Sequence, residues 1–199
     1  MTADTAATAL DWDRLFAHHA CQKRVFDRVV PPADFATFDE WRAATQEYQG
    51  ALIQLQVEDL RRLKYAPTGG FCHFCFADGH PAVTWSVLDH QRLEKRGYAA
   101  LRDACRPVLP MIEPRDGLVH VASERRDELA GAVVEVTADG GWLGRFTGDI
   151  AADAVTYVGR VDLDGAKKAS VTLEHPAIGR VGNGYHDAVL ASVREEARG

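Results

Sequence analysis

Methionine and cysteine are scarce, with two and four residues in a chain of 199. Four cysteines over this length do not make a disulfide scaffold, so the sequence predicts reduced thiols and a cytoplasmic setting. Long apolar runs are missing: none approaches the roughly 20 residues that cross a bilayer, and no membrane partner is expected. Met1-Thr2-Ala3-Asp4 does not lead into the basic stretch and apolar core of a secretory signal. Positive charge is in deficit, because 23 Lys plus Arg face 29 Asp plus Glu, for a net charge of −6. Proteins that grip phosphates carry the opposite balance, and basic patches here are as short as Arg61-Arg62 and Lys167-Lys168, so no nucleic-acid partner is expected. A Gly-rich phosphate loop, a nucleophile elbow, a recognisable Ser–His pair and internal repeats are all absent. No cofactor is expected.

What is present changes character near residue 114. Upstream, the spacing is helical. Leu15, Cys21, Val25 and Val29 predict a helix from Asp11 to Val30 that stops at Pro31-Pro32. Thr37-Phe38-Asp39-Glu40 is a capping box, in which the threonine hydroxyl and the glutamate satisfy free N–H groups at a helix start. The following helix should reach about Lys64, with Trp41, Ala44, Tyr48, Leu52, Leu55 and Leu63 on one face and Glu47, Glu58 and Arg62 on the solvated one. After Pro67-Thr68-Gly69-Gly70, the run Phe71–Phe76 reads as a short strand buried on both faces. A short helix from about Glu94 to Cys105 follows.

Downstream, the pattern is β. Leu118–Ala122, Ala132–Val136, Trp142–Phe146, Ala154–Val158 and Ser170–Leu173 predict strands, and a last one is expected near Tyr185 to Val193. Asp139-Gly140-Gly141 suits a hairpin turn, because glycine tolerates positive φ, and Asp164-Gly165 suits a second. Six or seven strands at such spacing suggest an antiparallel sandwich.

Two groups of residues could hold a metal. Cys72 and Cys75, with His73, His80 or His90, have the composition of a zinc site. On a strand, however, residues three apart point to opposite faces, so both thiols would not meet one ion. The sequence therefore predicts that Cys72 and Cys75 are buried packing residues without metal. His18 and His19 point to different sides of a helix and read as surface or packing residues.

Ordered motifs in the middle of the chain are more specific. They run through Arg61-Arg62-Leu63-Lys64-Tyr65, Gly69-Gly70, Phe74-Cys75-Phe76-Ala77-Asp78, His80-Pro81, Thr84-Trp85-Ser86, Asp89-His90, Lys95 and Tyr98. In this order they resemble the end of the catalytic barrel of glycoside hydrolase family 2, in its β-mannosidase-like and exo-β-glucosaminidase-like branches. The resemblance implies an α+β chain. Residues 1–113 would form the end of a (β/α)8 barrel as helix-strand-helix, and residues 114–199 an immunoglobulin-like antiparallel β-sandwich. It also implies sugar contacts at Asp78, Phe74, His80 and Trp85. The family's tryptophan on the last barrel strand is Phe74 here, its Gln-x-Asn-Asp is Cys75-Phe76-Ala77-Asp78, and its Trp-Pro is His80-Pro81. Both catalytic carboxylates of the family lie on earlier barrel strands, so no catalytic residue is expected in this chain and isolated turnover is not expected. For Asp78 a loop-capping role is the plainer alternative. Expected partners are a carbohydrate, a second copy of the chain, or a chain carrying the rest of the barrel. The other readings are a non-catalytic β-sandwich that binds carbohydrate or protein, and a small zinc protein.

Overall fold

The computed structural model describes residues 10–19, 21–187 and 189–190. Its helical part holds α1 (Trp12–His18), α2 (Lys23–Val29), α3 (Phe38–Arg62) and α4 (Arg96–Ala104). The β part holds β1 (Val108–Ile112), β2 (Leu118–Ser123), β3 (Leu129–Ala138), β4 (Gly141–Ile150), β5 (Val155–Arg160), β6 (Ala169–His175) and β7 (Gly179–Tyr185). No described helix is long and apolar enough to cross a membrane.

Helix α3 forms because its start is chemically fixed. Thr37 Oγ1 accepts the Glu40 N–H at 3.2 Å, and Glu40 Oε2 accepts the Thr37 and Ala36 N–H groups at 3.1 and 2.9 Å. Its 25 residues extend about 37 Å at 1.5 Å per residue, enough to line three cores. The first turns carry Phe38, Trp41, Ala44 and Tyr48 into an aromatic cluster with Phe16 and Val30. Ile53 and Val57 pack with Val87 and Ala104, while Ala51 and Leu55 reach the sandwich.

The single helix expected over residues 11–30 is two helices. Asp11 caps α1 by accepting the Arg14 N–H, and the chain turns after His18 so that Phe16 and Phe26 both lie against Trp41. Continuing straight would have carried Phe26 away from that ring. Two further expectations for α3 fail at its end. Leu63 is 47% exposed, whereas Glu58 is completely buried and the Arg62 side chain is only 9% exposed. Periodicity assigned those charges to solvent, yet the sandwich covers that face.

The two sheets are antiparallel, one ordered β1-β2-β5 and the other β4-β3-β6-β7. Alternating residues from both, including Val119, Val121, Val134, Val136, Val171 and Leu173, are excluded from solvent and face one another. The expected Asp139-Gly140 turn joins β3 to β4 as a two-residue hairpin, with φ of 47° and 80°. Pairing reaches back to β1, ahead of the composition change near 114, since Val108 pairs with Ser123 and Ile112 with Val119. The last strand among the described residues is β7, upstream of the one expected at Tyr185–Val193. Tyr185 ends it, Val189 and Leu190 are helical, and positions 191–193 lie outside the described residues.

The strand expected at Phe71–Phe76 does not form. Phe71, Phe74 and Phe76 are 39%, 77% and 51% exposed, and Cys72 and Cys75 are exposed rather than buried. A strand covered on both faces needs partners on its edges, and every described strand here is committed to the sandwich. Cys75 also adopts a φ of 59°, in the left-handed region that strands exclude. Only isolated bridges occur in this region, Lys64 with Thr68, Ala77 with Leu88 and Leu88 with Glu94.

Candidate functional site

The loop between α3 and α4 carries all four residues implied as sugar contacts. It is ordered from within, chiefly by Asp78. The Asp78 N–H donates to the Leu88 carbonyl at 3.0 Å, and Arg92 Nη1 donates to the Asp78 carbonyl at 3.0 Å. Asp78 Oδ2 accepts from Lys95 Nζ at 2.7 Å, and Oδ1 accepts from the Thr84 hydroxyl. Lys95 also reaches Ser86 Oγ at 2.7 Å, and Ser86 Oγ donates to the Leu88 carbonyl at 2.9 Å. Thus α4's approach supplies the lysine, Thr84 supplies a hydroxyl to the carboxylate, and Ser86 holds the lysine against the Leu88 carbonyl.

Burial would by itself raise the Asp78 carboxyl. The hydrogen bonds from Lys95, Thr84 and Ser86 and the lysine charge outweigh it, holding the group below the ordinary value of 3.8. A folded-state value below the unfolded one gives stability that is present above pH 3.8 and lost as pH falls through the folded value. Asp78→Asn removes the charge opposite Lys95 in a site where the two side chains are 5% and 13% exposed. The expected cost is about 1–3 kcal/mol. Amide exchange confined to residues 76–95 should accelerate, and unchanged exchange there would show that the pair does not order the loop.

The remaining implied contacts face outward. Phe74 and Trp85 are 77% and 57% exposed, and His80 is exposed. Gln49 of α3 donates to the Trp85 and Ser86 carbonyls at 2.7 and 3.3 Å, which pins the backbone while leaving the indole in solvent. Phe76 lies edge-on to Tyr98 of α4 at 6.2 Å. His19, which caps the C-terminal end of α1, accepts the Val83 N–H on Nδ1 at 3.4 Å and so also touches this loop. The loop therefore presents an aromatic surface whose carboxylate is turned inward. Chemically, it can stack on an apolar or sugar face, but Asp78 is already committed to Lys95.

Among the described residues, no group of three or more His, Cys, Asp or Glu is arranged to hold a metal ion. A cleft of about 160 Å³ lies elsewhere, between α3, α4 and β7, beside Gln54, Arg96, Arg106, Asn183 and His186. It includes none of Asp78, Phe74, His80 or Trp85. Its charges are internally matched: Arg96 pairs with Glu47 at 2.9 Å and Arg106 with Asp103 at 2.9 Å.

Sequence reasoning missed the polar cluster behind that cleft. Tyr185 Oη donates to Glu58 Oε2 at 2.6 Å, Asn183 Nδ2 to Glu58 Oε1 at 2.8 Å, and Gln54 Nε2 to Oε1 at 3.0 Å. Burial raises both the Glu58 carboxyl and the Tyr185 phenol, opposed at Glu58 by these hydrogen bonds and the Arg62 charge. The one available signal was Gln54 at i−4 from Glu58, a spacing that places both on one helix face.

No family model matches the sequence, and no curated protein matches it. Solved structures do. A β-D-mannosidase from Dictyoglomus thermophilum aligns over 78% of this chain with a TM-score of 0.64 and 21% identity. The exo-chitosanase CsxA from Amycolatopsis orientalis, in a D469A complex with PNP-β-D-glucosamine, aligns over 89% with a TM-score of 0.73 and 14% identity. Another structure of CsxA aligns over 81% with a TM-score of 0.69 and 16% identity. This chain spans only 20–24% of the length of these proteins. Its helices and sandwich thus share the fold of about a fifth to a quarter of a β-mannosidase and an exo-chitosanase.

Proposed function

We propose that this chain is the non-catalytic C-terminal portion of a family 2 glycoside hydrolase-like architecture. In it, the loop bearing Phe74, Asp78, His80 and Trp85 borders a sugar site completed by the rest of a barrel. The supporting observation is the structural likeness, which covers 78–89% of this chain but 20–24% of the matched glycosidases. A retaining glycosidase needs two carboxylates about 5–5.5 Å apart, one acid/base and one nucleophile. Asp78, bound to Lys95 and Thr84, does not supply the pair. The remainder of the barrel, from the same polypeptide or a separate one, would bring both carboxylates and cover the exposed Phe71, Phe74, Phe76 and Trp85.

The purified chain is expected to show no turnover of aryl β-D-mannosides or β-D-glucosaminides, while high concentrations of mannose or glucosamine quench Trp85 fluorescence. The quenching should disappear in Trp85→Phe. Turnover abolished by Asp78→Asn would overturn the incomplete-site reading. Sugar titrations identical in the wild type and Trp85→Phe would remove the sugar contact.

A further inference from the structure

The four-stranded sheet ends on β7 at one side and β4 at the other. Strand β7 is covered, because Gln54 of α3 donates to the Gly184 carbonyl at 2.9 Å and Arg106 to the Gly182 carbonyl at 2.9 Å. Strand β4 is not. Ala138 and Gly141 close the two-residue hairpin and so exchange main-chain hydrogen bonds. Alternating along β3 from that pair, Val136 and Val134 bond to β4, while Glu135 and Val133 do not. The N–H and C=O groups of Arg145 and Thr147, opposite the latter two, therefore point out of the sheet, and those of Asp149 follow two residues on. The Ala151 N–H continues this series and donates to Thr156 Oγ1 of β5 at 3.0 Å rather than to β3. Among the described residues, no backbone group bonds to the outward groups of 145, 147 and 149. Strand β5 does not seal them, since a cleft of about 160 Å³ lies between it and β4 beside Phe146, Thr147 and Tyr157.

Unpaired edges recruit other strands, and proteins blunt them with bulges and charge. The bulge in β4 is confined to Leu143, where Gly144 pairs with Val136 but Trp142 with Thr137. From Gly144 to Ile150 the strand runs uninterrupted. Its two charges, Arg145 and Asp149, are exposed, opposite in sign, and second and sixth of those seven residues. Such a segment matches its own reverse. A two-fold axis at Thr147 sets Arg145 opposite the partner's Asp149, and Asp149 opposite the partner's Arg145. The same axis pairs the outward-pointing residues 145, 147 and 149 with one another, and each such pair exchanges two main-chain hydrogen bonds. Arg145 holds Glu135 through Nη1 at 3.1 Å, and the guanidinium has further donors for a carboxylate across the edge. Asp149 accepts the Gly131 N–H on Oδ1 at 2.7 Å, and its second oxygen can accept from a partner. Beyond the paired segment, Trp142 and Leu143, 66% and 36% exposed, come alongside the partner's Ala151. Neighbouring edges lack this self-complementarity: β5 carries only Arg160, and β1 is buried along its whole length.

We propose that β4 is the seam of a two-fold dimer, in which Gly144–Ile150 of two copies pair antiparallel about Thr147 and join two four-stranded sheets into one. Main-chain pairing supplies the association. The charges choose the register, since a one-residue slip sets neither arginine opposite an aspartate and turns side chains to the wrong face. The seam is a property of the sandwich and does not rest on the sugar-site reading of the loop between α3 and α4.

The test is sedimentation equilibrium of the intact chain and two charge-reversal variants. Wild type should associate to twice the mass of one chain. Arg145→Glu sets two acidic pairs across the seam and Asp149→Lys two basic pairs, so each variant alone should be monomeric. Mixed, they restore an opposite pair at both positions and should form a one-to-one heterodimer, a recovery that no folding defect would give. A monomeric wild type, variants that dimerise like wild type, or a mixture that stays monomeric would each overturn the proposal. If either variant does not fold, amide exchange of the wild type decides. The N–H groups of Arg145, Thr147 and Asp149 should gain protection as concentration rises, while that of Phe146, turned toward β3, stays unchanged. Protection at 145, 147 and 149 that is independent of concentration refutes the seam.

Discussion

Replacing Trp41 with alanine is expected to cost about 3–5 kcal/mol, the range for removing a fully buried large aromatic side chain. Trp41 is 1% exposed, and its indole N–H donates to the Val30 carbonyl at 3.0 Å. Around it stand Trp12 at 5.1 Å, Phe26 at 5.4 Å, Phe38 at 5.8 Å and Phe16 at 6.0 Å, mostly tilted or edge-on. Such pairs add about 0.5–1.5 kcal/mol each beyond area burial. Removing the hub leaves α1 and α2, of seven residues each, without the surface that orders them, since isolated helices of that length are unstable. Urea titration should show the loss in stability, and amide exchange should show residues 12–30 losing protection while β2, β3 and β6 keep theirs. Protection retained at 12–30 would mean that the segment has another anchor.

Gly117→Ala should be nearly as damaging, at roughly 2–5 kcal/mol from strain plus overpacking. Gly117 lies between β1 and β2 with a φ of 69°, and an added Cβ would sit 1.9 Å from the Val161 carbonyl oxygen. That oxygen belongs to backbone and cannot swing away. The same glycine accepts the Val161 N–H at 2.9 Å and donates to the Glu113 carbonyl at 2.9 Å, so moving it breaks two ladder-end contacts. Gly165→Ala separates the two effects, because Gly165 has a φ of 71° but open space around its Cβ direction. Thermal unfolding should show Gly117→Ala well below Gly165→Ala. Equal midpoints would mean that backbone conformation alone governs the site.

How much of this was legible depended on how local each determinant is. The α3 capping box is written in four consecutive residues, Thr37 to Glu40, and the hairpin in Asp139-Gly140. Strands β2, β3 and β6 show through alternation because one face is buried and the other is not. Strand β1 hides for the converse reason: Val108 to Ile112 are all buried, so nothing alternates, and Pro110 further disguises it. It is tolerated because β1 is the edge of its sheet. Strand β7 reads as loop because Gly179, Gly182 and Gly184 carry no side chain to betray a pattern. Phe71–Phe76 failed in the other direction. Its composition is that of a buried strand, but pairing partners are a property of the rest of the chain. At the site, sequence left Asp78 open between a sugar contact and a loop-capping role, and did not pair its carboxylate with Lys95, 17 residues on. Glu58 was invisible because a charged residue on a helix is ordinarily solvated, and its partners Asn183 and Tyr185 are 125 and 127 residues away.

Those separations set a schedule during synthesis. Gln54 and Glu58 leave the ribosome 125–130 residues ahead of the β7 groups that receive them. At translation rates of about 5–20 residues per second, that interval is roughly 6–26 s. Throughout it α3 can wind, and Trp41 can gather α1 and α2, but the carboxylate near its C-terminal end must stay wet. A nascent chain that buried this face early, against another copy or its own unpaired strands, would trap an unsatisfied acid. A charge at position 58 would thus oppose burial of that helix face until β7 arrives, where an apolar residue would favour it.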